Sequence, residues 1–430
     1  MNGAAWRWAY NAAAPLMGIG MRLAAGFNEK AREALKGRKG WKKSLAEQLK
    51  TRRMTDGRRV WIHAASVGEF EQAKPLLETL YPQYECVVSC FSPSVYGMAS
   101  RFHSQDAVVY LPLDYRRNIR AFLDIVQPAA AVFSKFDVWP NCVWEASRRG
   151  IPCALIAGTL HEGSKRLRPL ARGLFRSVYK ELRLQCAVTE EDAERLRKLC
   201  GKTSGGGPRI LVAGDTRYDQ VFARSESAEG DPPDRRGLTV VAGSVYAEDE
   251  NVLLPAFARL KERHPDSGLC AVPHEPTESN LRALERRLKA HGFSFGRLSA
   301  LGSHWRGADV VAVDSVGLLA GLYRFGDIAF VGGSYRARVH NVMEPAVFGK
   351  PVLFGPKMDN SPEAAALLKA GAAVKAADEN ALADALLHYA DHPSLAAKAG
   401  RKGREFILAN LGAADRTIAA LRPLMEKVSS

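Results

Sequence analysis

The 430-residue sequence lacks the cysteine patterns that mark disulfide-rich and zinc-binding proteins. Its seven cysteines include no Cys-x-x-Cys pair, and an odd number argues against a disulfide framework. The ten histidines show no ligand spacing with these thiols, so a zinc site is not expected either. We therefore predict a protein of a reduced compartment that holds no structural metal.

The sequence also lacks an apolar run long enough to cross a bilayer. Residues 8–21 carry no charge, but these fourteen residues fall short of the about 20 that a transmembrane helix needs. Aromatic residues open this run, and residues 30–59 add twelve Lys and Arg against three acids. Residues 1–50 are therefore predicted to form a basic segment that associates with an anionic membrane surface. A docked helix, and a signal or spanning segment over residues 1–26, remain alternatives.

Charge of one sign is in excess, with 61 Lys and Arg against 46 Asp and Glu, a net charge of +15. Such an excess favours an anionic partner, which could be nucleic acid, anionic lipid or a phosphorylated substrate. Nucleic acid is the least favoured of the three, because the sequence shows neither basic residues interleaved with aromatics nor an RNA-recognition motif.

What the sequence does contain is a regular alternation of short apolar runs with helical patterns, which predicts an α/β fold with mainly parallel sheets. The length and the polar stretch at 224–237 divide this alternation into two doubly wound, Rossmann-like domains. We predict a first domain over 51–223, a second domain over 238–405, and a final helix over 406–430 that packs back on the first domain. The two domains are expected to face each other across a cleft that holds the ligands.

The stretch HAASVGEFEQAKPLL, residues 63–77, places Glu69 where a helix should begin after a strand. A carboxylate at that position stabilises a helix through its dipole by about 0.3–1 kcal/mol. It is equally suited to accept a proton from an attacking hydroxyl group. The residues alone leave both roles open for Glu69.

A second candidate stretch, HNVMEPAVFGKPVLFGP, begins at residue 340 and follows a glycine pair at 332 and 333. Asn341 and Glu344 are three residues apart and share a face if a helix starts there. Such a helix start suits a nucleotide phosphate on its N–H groups and a ribose diol on Glu344, although Glu344 could instead be a capping residue.

A third stretch, SKFDVWPN, residues 134–141, follows an apolar strand. Polar residues at the carboxyl end of a strand usually line a cleft, so Lys135 and Asp137 are candidates for a site. Trp139 is interpreted as a packing residue.

In order and spacing these motifs resemble the 3-deoxy-D-manno-octulosonic acid (Kdo) transferases of lipopolysaccharide synthesis, which have the GT-B fold. The resemblance covers nearly the whole chain, and WIHAASVGEFEQAKPL is similar to the motif around the catalytic Glu of the family. It implies an inverting enzyme that moves Kdo from CMP-Kdo to a lipid A precursor at the cytoplasmic face of the inner membrane, without metal or cofactor. Three sets of residues follow from it: catalytic Glu69 and Lys135; donor-binding Ser244, His274, Gly333, His340, Asn341 and Glu344; and acceptor-binding Ser66, Gly68 and Asp137.

The chain departs from the family pattern at three places, which indicates a divergent branch. Lys135 and Asp137 stand where many members have two Glu. Ser244-Val245-Tyr246 stands where they have Ser-Thr-His, and Pro273-His274-Glu275-Pro276 stands where they have Pro-Arg-His-Pro. Two alternatives are kept: a GT-B enzyme that uses a UDP-sugar, either a glycosyltransferase or a 2-epimerase, and a nucleotide-binding protein without activity.

Overall fold

A computed structural model describes residues 3–50, 58–201, 207–235 and 237–426. The predicted domain boundary at residue 51, and the first two residues of the predicted anchor, lie outside these ranges. The chain forms two compact units. The first contains the residues up to Gln220 and those from Leu411 onward, and the second contains Val221–Asn410.

The first unit is built on a seven-stranded sheet in which every strand is parallel to its neighbours, in the order β3-β2-β1-β4-β5-β6-β7. Its strands are β1 Arg59–Ala64, β2 Glu85–Cys90, β3 Ala107–Tyr110, β4 Pro128–Ser134, β5 Cys153–Gly158, β6 Leu184–Ala187 and β7 Arg209–Val212. Strands β2 to β6 are buried along their whole length. Parallel strands covered on both faces require such continuous apolar runs, and this is why the runs were visible in the sequence.

Three helices precede the first strand, and seven more connect the strands and continue into the second unit. They are α1 Gly3–Phe27, α2 Glu29–Gly37, α3 Trp41–Lys50, α4 Val67–Leu80, α5 Pro93–Ala99, α6 Arg116–Val126, α7 Pro140–Arg148, α8 Pro169–Tyr179, α9 Glu190–Cys200 and α10 Arg217–Glu226. Within the described ranges, no helix combines the length and the hydropathy needed to cross a bilayer.

The second unit repeats the same architecture with a parallel sheet of order β10-β11-β9-β8-β12-β13-β14. Its strands are β8 Thr239–Val245, β9 Gly268–Pro273, β10 Phe295–Arg297, β11 Val310–Ala312, β12 Ile328–Val331, β13 Val352–Phe354 and β14 Ala373–Lys375. Its helices are α11 Ala247–Arg263, α12 Glu278–Ala290, α13 Leu298–Leu301, α14 Leu319–Leu322, α15 Met343–Val347, α16 Pro362–Ala370, α17 Glu379–Asp391 and α18 Pro393–Ala409.

The last helix, α19 Ala413–Glu426, belongs to the first unit. Its buried side chains Ile418, Leu421 and Met425 join the apolar cluster on one face of the first sheet. A helix that buries this many apolar residues contributes to the core of the unit on which it packs.

The polar stretch at 224–237, interpreted above as a linker, is bound to the second unit over its described residues. Arg224 pairs with Glu344 at 3.8 Å, and Arg235 forms a salt bridge with Asp327. A polar composition therefore reflects an ion-paired surface segment here.

Candidate functional site

The turn between β1 and α4 closes on Glu69. The side chain of Ser66, the residue before the helix, accepts a hydrogen bond from the Glu69 N–H at 3.4 Å. In return, Oε2 of Glu69 accepts hydrogen bonds from the N–H of Ala65 at 2.7 Å and of Ser66 at 3.3 Å. This reciprocal arrangement is a capping box. Glu69 therefore has the helix-stabilising role that the sequence left open.

The surroundings of Glu69 raise the pKa of its carboxyl group, whereas a helix start alone was expected to favour the ionised form. Burial is the largest cause, since the residue is only 4% exposed, and the negative charge of Asp137 adds to it. The hydrogen bonds from Ala65 and Ser66 and the nearby His63 act in the opposite direction but do not compensate. A carboxylate with a raised pKa holds a proton more strongly, as a general base requires.

Asp137 lies in the loop after β4 and is held by two ring nitrogens. Nε2 of His63 is 3.3 Å from Oδ2 of Asp137, and Nε1 of Trp139 donates a hydrogen bond to the same oxygen at 3.1 Å. Burial acts to raise the pKa of Asp137, but His63, Trp139 and the positive charge of Arg166 together lower it. Glu69 and Asp137 therefore form a pair of carboxyl groups whose pKa values are displaced in opposite directions, a pattern typical of acid–base sites.

His63 was not singled out in the sequence. It is fully buried at the end of β1, and its Nδ1 lies 2.8 Å from Oγ and 3.0 Å from the carbonyl oxygen of Ser89 on β2. These contacts direct Nε2 toward Asp137. The available signal was a histidine within an apolar strand, directly before the turn that carries Glu69.

A non-glycine residue occupies the left-handed backbone region at the end of a central strand in each unit. Lys135, with φ of 61°, follows β4, and its Nζ lies 5.3 Å from the ring centroid of Phe136. Ser244, with φ of 54°, lies near the end of β8, where the register with β9 shifts between Gly243 and Val245. Backbone strain of this kind is concentrated at functional sites, so both positions are candidates for a functional role.

Ser66 and Gly68, predicted to contact an acceptor, are both exposed at the first turn of α4. A Cβ atom added at Gly68 would meet no heavy atom within 4 Å, so the surrounding structure does not require glycine there. The surface beside Glu69 is therefore open at these two residues.

In the second unit, Asp249 fixes the loop that follows β12. Its carboxylate accepts hydrogen bonds from the N–H groups of Tyr246 at 2.9 Å, Gly333 at 2.7 Å and Tyr335 at 3.3 Å. Asp249 is fully buried, and burial raises the pKa of its carboxyl group although the three hydrogen bonds lower it. The sequence analysis missed Asp249, which occupies the same place at the start of α11 as Glu69 does at the start of α4.

Three aromatic rings stack beside this loop. The ring centroids of His274 and His340 are 4.5 Å apart, and Tyr246 lies 4.7 Å from His274 and 5.6 Å from His340. The guanidinium of Arg336 lies over the ring of Tyr246, 4.4 Å from its centroid. Three predicted donor-site positions, the two histidines and the Gly333 loop, are thus brought together.

His340 is held in its neutral form. Burial lowers the pKa of His340 to about 4, and the charges of His274 and Arg338 act in the same direction. Within the described residues, the buried Nε2 of His340 has no hydrogen-bond partner. An unpaired polar atom of this kind is costly, and a bound ligand could satisfy it.

The backbone at Gly333 can be formed only by glycine. Its φ is 88°, and a Cβ atom would lie 2.4 Å from the carbonyl oxygen of Arg338 and 2.7 Å from the ring of His340. Both the conformation and the close approach exclude a side chain. Gly333 therefore determines how closely the loop folds against His340.

Asn341 and Glu344 are adjacent, but a shared helical face is the wrong description. Helix α15 begins at Met343, so Asn341 lies before it, and Oδ1 of Asn341 accepts a hydrogen bond from the Met343 N–H at 3.1 Å. The Nδ2 of Asn341 donates to Oε1 of Glu344 at 3.1 Å. The pair forms a polar side-chain group next to His340 at the start of a helix.

No cluster of three or more potential metal ligands occurs among the residues that the structure describes.

Two consecutive parallel α/β units define the class of this protein as a GT-B fold. Among solved structures, UDP-GlcNAc 2-epimerase from Neisseria meningitidis matches with a TM-score of 0.59 at 13% identity, covering 85% of this chain and 100% of that one. The predicted fold class is confirmed.

Sequence comparison then shows which family of proteins the chain is similar to. Residues 34–220 match the family described as 3-deoxy-D-manno-octulosonic-acid transferase (kdotransferase). The 3-deoxy-D-manno-octulosonic acid transferase of Haemophilus influenzae is 28% identical over 86% of this chain and 87% of its own length. That of Chlamydia pneumoniae is 29% identical over 89% of each chain. The chain is therefore similar to the Kdo transferases over most of its length, and the resemblance inferred from the motifs is confirmed.

Proposed function

We propose that this protein transfers Kdo from CMP-Kdo to a hydroxyl group of a lipid A precursor, with inversion, at the cytoplasmic face of the inner membrane. The observation that carries the proposal is the pair formed by Glu69 and Asp137, in which Glu69 has the raised pKa and Asp137 the lowered one. Glu69 takes the proton of the acceptor hydroxyl as its oxygen attacks the anomeric carbon. The bond from that carbon to the phosphate breaks, and CMP leaves with the electron pair.

The donor is assigned to the second unit. The unpartnered Nε2 of His340, the guanidinium of Arg336 over Tyr246, and His274 form a group suited to the anionic phosphate of a nucleotide. Positive charge at this point stabilises the departing CMP without a general acid or a metal ion. Asn341 and Glu344 are proposed to bind the nucleoside, and the Ser244 backbone to support the sugar.

The acceptor is assigned to the first unit. Ser66 and Gly68 leave the surface beside Glu69 accessible, and Asp137 is held next to it by His63. Lys135 is proposed to pair with an anionic group of the substrates, since its charge lies in the same loop as Asp137. Residues 30–50 carry eight Lys and Arg against two Glu, which suits a phosphorylated lipid in an anionic leaflet.

The test is an assay with CMP-Kdo and a tetra-acylated, bis-phosphorylated acceptor, with the product weighed by mass spectrometry. Glu69→Gln keeps an oxygen that can accept the capping hydrogen bonds but removes the base, so a loss of at least 100-fold in kcat is expected. Glu71→Gln is the matched control, because Glu71 lies on the same helix and pairs with Lys74 at 2.6 Å. A Glu69→Gln enzyme of full activity would exclude Glu69 as the base.

A further inference from the structure

An apolar recess lies between the second half of α1 and the ends of β2 and β3. It has a cavity volume of about 100 Å³ and is partly open to solvent. Asp114 is its only ionisable carboxyl group, and hydrogen bonds within the protein engage that group. The α1 recess is lined by Met17, Gly18, Met21, Phe91, Leu111, Pro112, Leu113, Asp114, Tyr115 and Trp139.

Polar contacts fix α1 at the edge of the recess. The hydroxyl group of Tyr10 donates to Asp114 at 2.7 Å, and Asn11 exchanges hydrogen bonds with Asn141 at 3.1 and 3.2 Å. At Gly18 the helix approaches so closely that an added Cβ would lie 1.8 Å from the Tyr115 hydroxyl oxygen. The recess is therefore a fixed feature of the first unit, since these contacts hold the helix that forms its wall.

The opposite face of α1 is apolar and exposed. Leu16 is 67% exposed, Ile19 49% and Leu23 66%, and these residues follow helical spacing on the side away from Tyr10. Met17, at 41% exposure, lies at the boundary and also lines the recess. Helix α1 thus presents one face to the recess and an apolar face, suited to the edge of a membrane, to the solvent.

The other end of the recess reaches the polar site. Trp139 forms part of the wall, and its Nε1 donates to Asp137 at 3.1 Å. Arg38 lies on the same side: its guanidinium donates to the carbonyl oxygens of Leu111 at 2.9 Å and Phe91 at 3.1 Å, both of them wall residues. An occupant would therefore have an apolar part in the recess and a polar part toward Asp137, whose carboxylate can accept hydrogen bonds.

We propose that the α1 recess binds one acyl chain of the phosphorylated lipid acceptor and so positions the acceptor head group beside Asp137 and Glu69. The inference rests on the proposed function and identifies the part of the substrate that the first unit recognises. A lipid fits better than a protein helix, because the helix that forms the wall of the recess also exposes an apolar face suited to a membrane edge, and residues 30–50 supply positive charge for phosphate.

The first test fills the recess. Met21→Trp adds an indole to the wall, and Leu23→Trp places the same indole on the exposed face as the matched control. With Met21→Trp the KM for the tetra-acylated acceptor should rise about tenfold, and the KM for the fully deacylated, bis-phosphorylated disaccharide should not change. Leu23→Trp should alter neither value, and thermal unfolding establishes that both variants fold. Equal effects of Met21→Trp on the two acceptors, or no effect on either, would overturn the proposal.

A binding measurement separates the recess from the reaction. An acceptor brominated at the ends of its acyl chains should quench tryptophan fluorescence in detergent micelles, and Trp139→Phe should remove a large part of that quenching. A brominated phosphatidylcholine should show no such dependence on Trp139. If it does, the recess binds bulk lipid and the assignment to the acceptor is wrong. If quenching depends on Trp139 but no Kdo is transferred to any acceptor, the proposed function fails while the recess assignment holds.

Discussion

The carboxylate of Asp249 accepts a hydrogen bond from the Gly333 N–H at 2.7 Å, and so joins the start of α11 to the loop that carries His340. The same carboxylate binds the N–H groups of Tyr246 and Tyr335. A single buried side chain therefore sets the geometry of the proposed donor site. Preorganised backbone of this kind binds a ligand with less loss of conformational entropy.

Replacing Asp249 with Asn should destabilise the protein and weaken nucleotide binding. Both carboxylate oxygens now accept hydrogen bonds from backbone N–H groups. The amide of Asn would place an NH₂ group against one of these donors, at a cost of about 1–3 kcal/mol. The loss is measured by thermal unfolding and by CMP titration. Asp378→Asn is the control, because Asp378 caps α17 with a single hydrogen bond, at 2.9 Å from Ala381 N–H, that Asn can still accept. Equal losses in the two variants would contradict the role of Asp249.

Replacing Asp137 with Asn should move the acid limb of the pH–rate profile to lower pH. The negative charge of Asp137 raises the pKa of Glu69, second only to burial, so its removal lets Glu69 ionise at lower pH. The measured quantity is the pH at which kcat/KM is half-maximal, and not the maximal value of kcat/KM. Asp124→Asn, on the exposed side of α6, should leave the limb in place. An unchanged limb in Asp137→Asn would show that Glu69 does not control it.

The alternation of strands and helices was predictable because buried parallel strands have continuous apolar sequences. The runs in β1 and β4 were recognised on that basis, and they became neighbours in the first sheet. Composition alone says less about the polar stretch at 224–237. Composition identifies an exposed segment but does not say which unit holds it, and that depends on ion pairs with Asp327 and Glu344 far along the chain.

The candidate site was predictable where its residues are local and hidden where it depends on strand neighbours. Glu69 and Ser66 are three residues apart, so the cap could be anticipated from sequence. His63 binds Ser89 and Asp137, which are 26 and 74 residues away, and nothing in the chain order brings these side chains together. The raised pKa of Glu69 depends on the same long-range arrangement.

Replacing His340 with Asn should make the protein less sensitive to mild acid. The pKa of His340 is about 4 in the folded protein against about 6.5 in an unfolded chain, so its neutral form adds stability that is present above pH 6.5 and is lost as the pH falls toward 4. Since His340 is only partly buried, the difference should be on the order of 1 kcal/mol. Denaturant unfolding at pH 7 and pH 4.5 measures it. The exposed His291→Asn is the control, and an acid sensitivity equal to wild type in His340→Asn would contradict the assignment.

Replacing the exposed apolar face of α1 should weaken membrane binding without unfolding the protein. The triple variant Leu16→Gln, Ile19→Gln and Leu23→Gln leaves the contact between Tyr10 and Asp114 intact, so the melting temperature should not change. Each side chain removed from the interface costs on the order of 1 kcal/mol, and liposome partitioning should therefore fall at least tenfold.

The control for this triple variant removes three exposed apolar side chains of the second unit, through Val316→Gln, Leu395→Gln and Leu408→Gln. Partitioning of the control into vesicles that contain anionic lipid should be unchanged. Its three residues belong to the second unit, whereas the basic residues 30–50 belong to the first. The two contributions can then be separated by salt, since added salt screens attraction between lysine and lipid phosphate but leaves apolar burial intact. If the α1 variant and the control partition alike at every salt concentration, α1 does not contact the membrane.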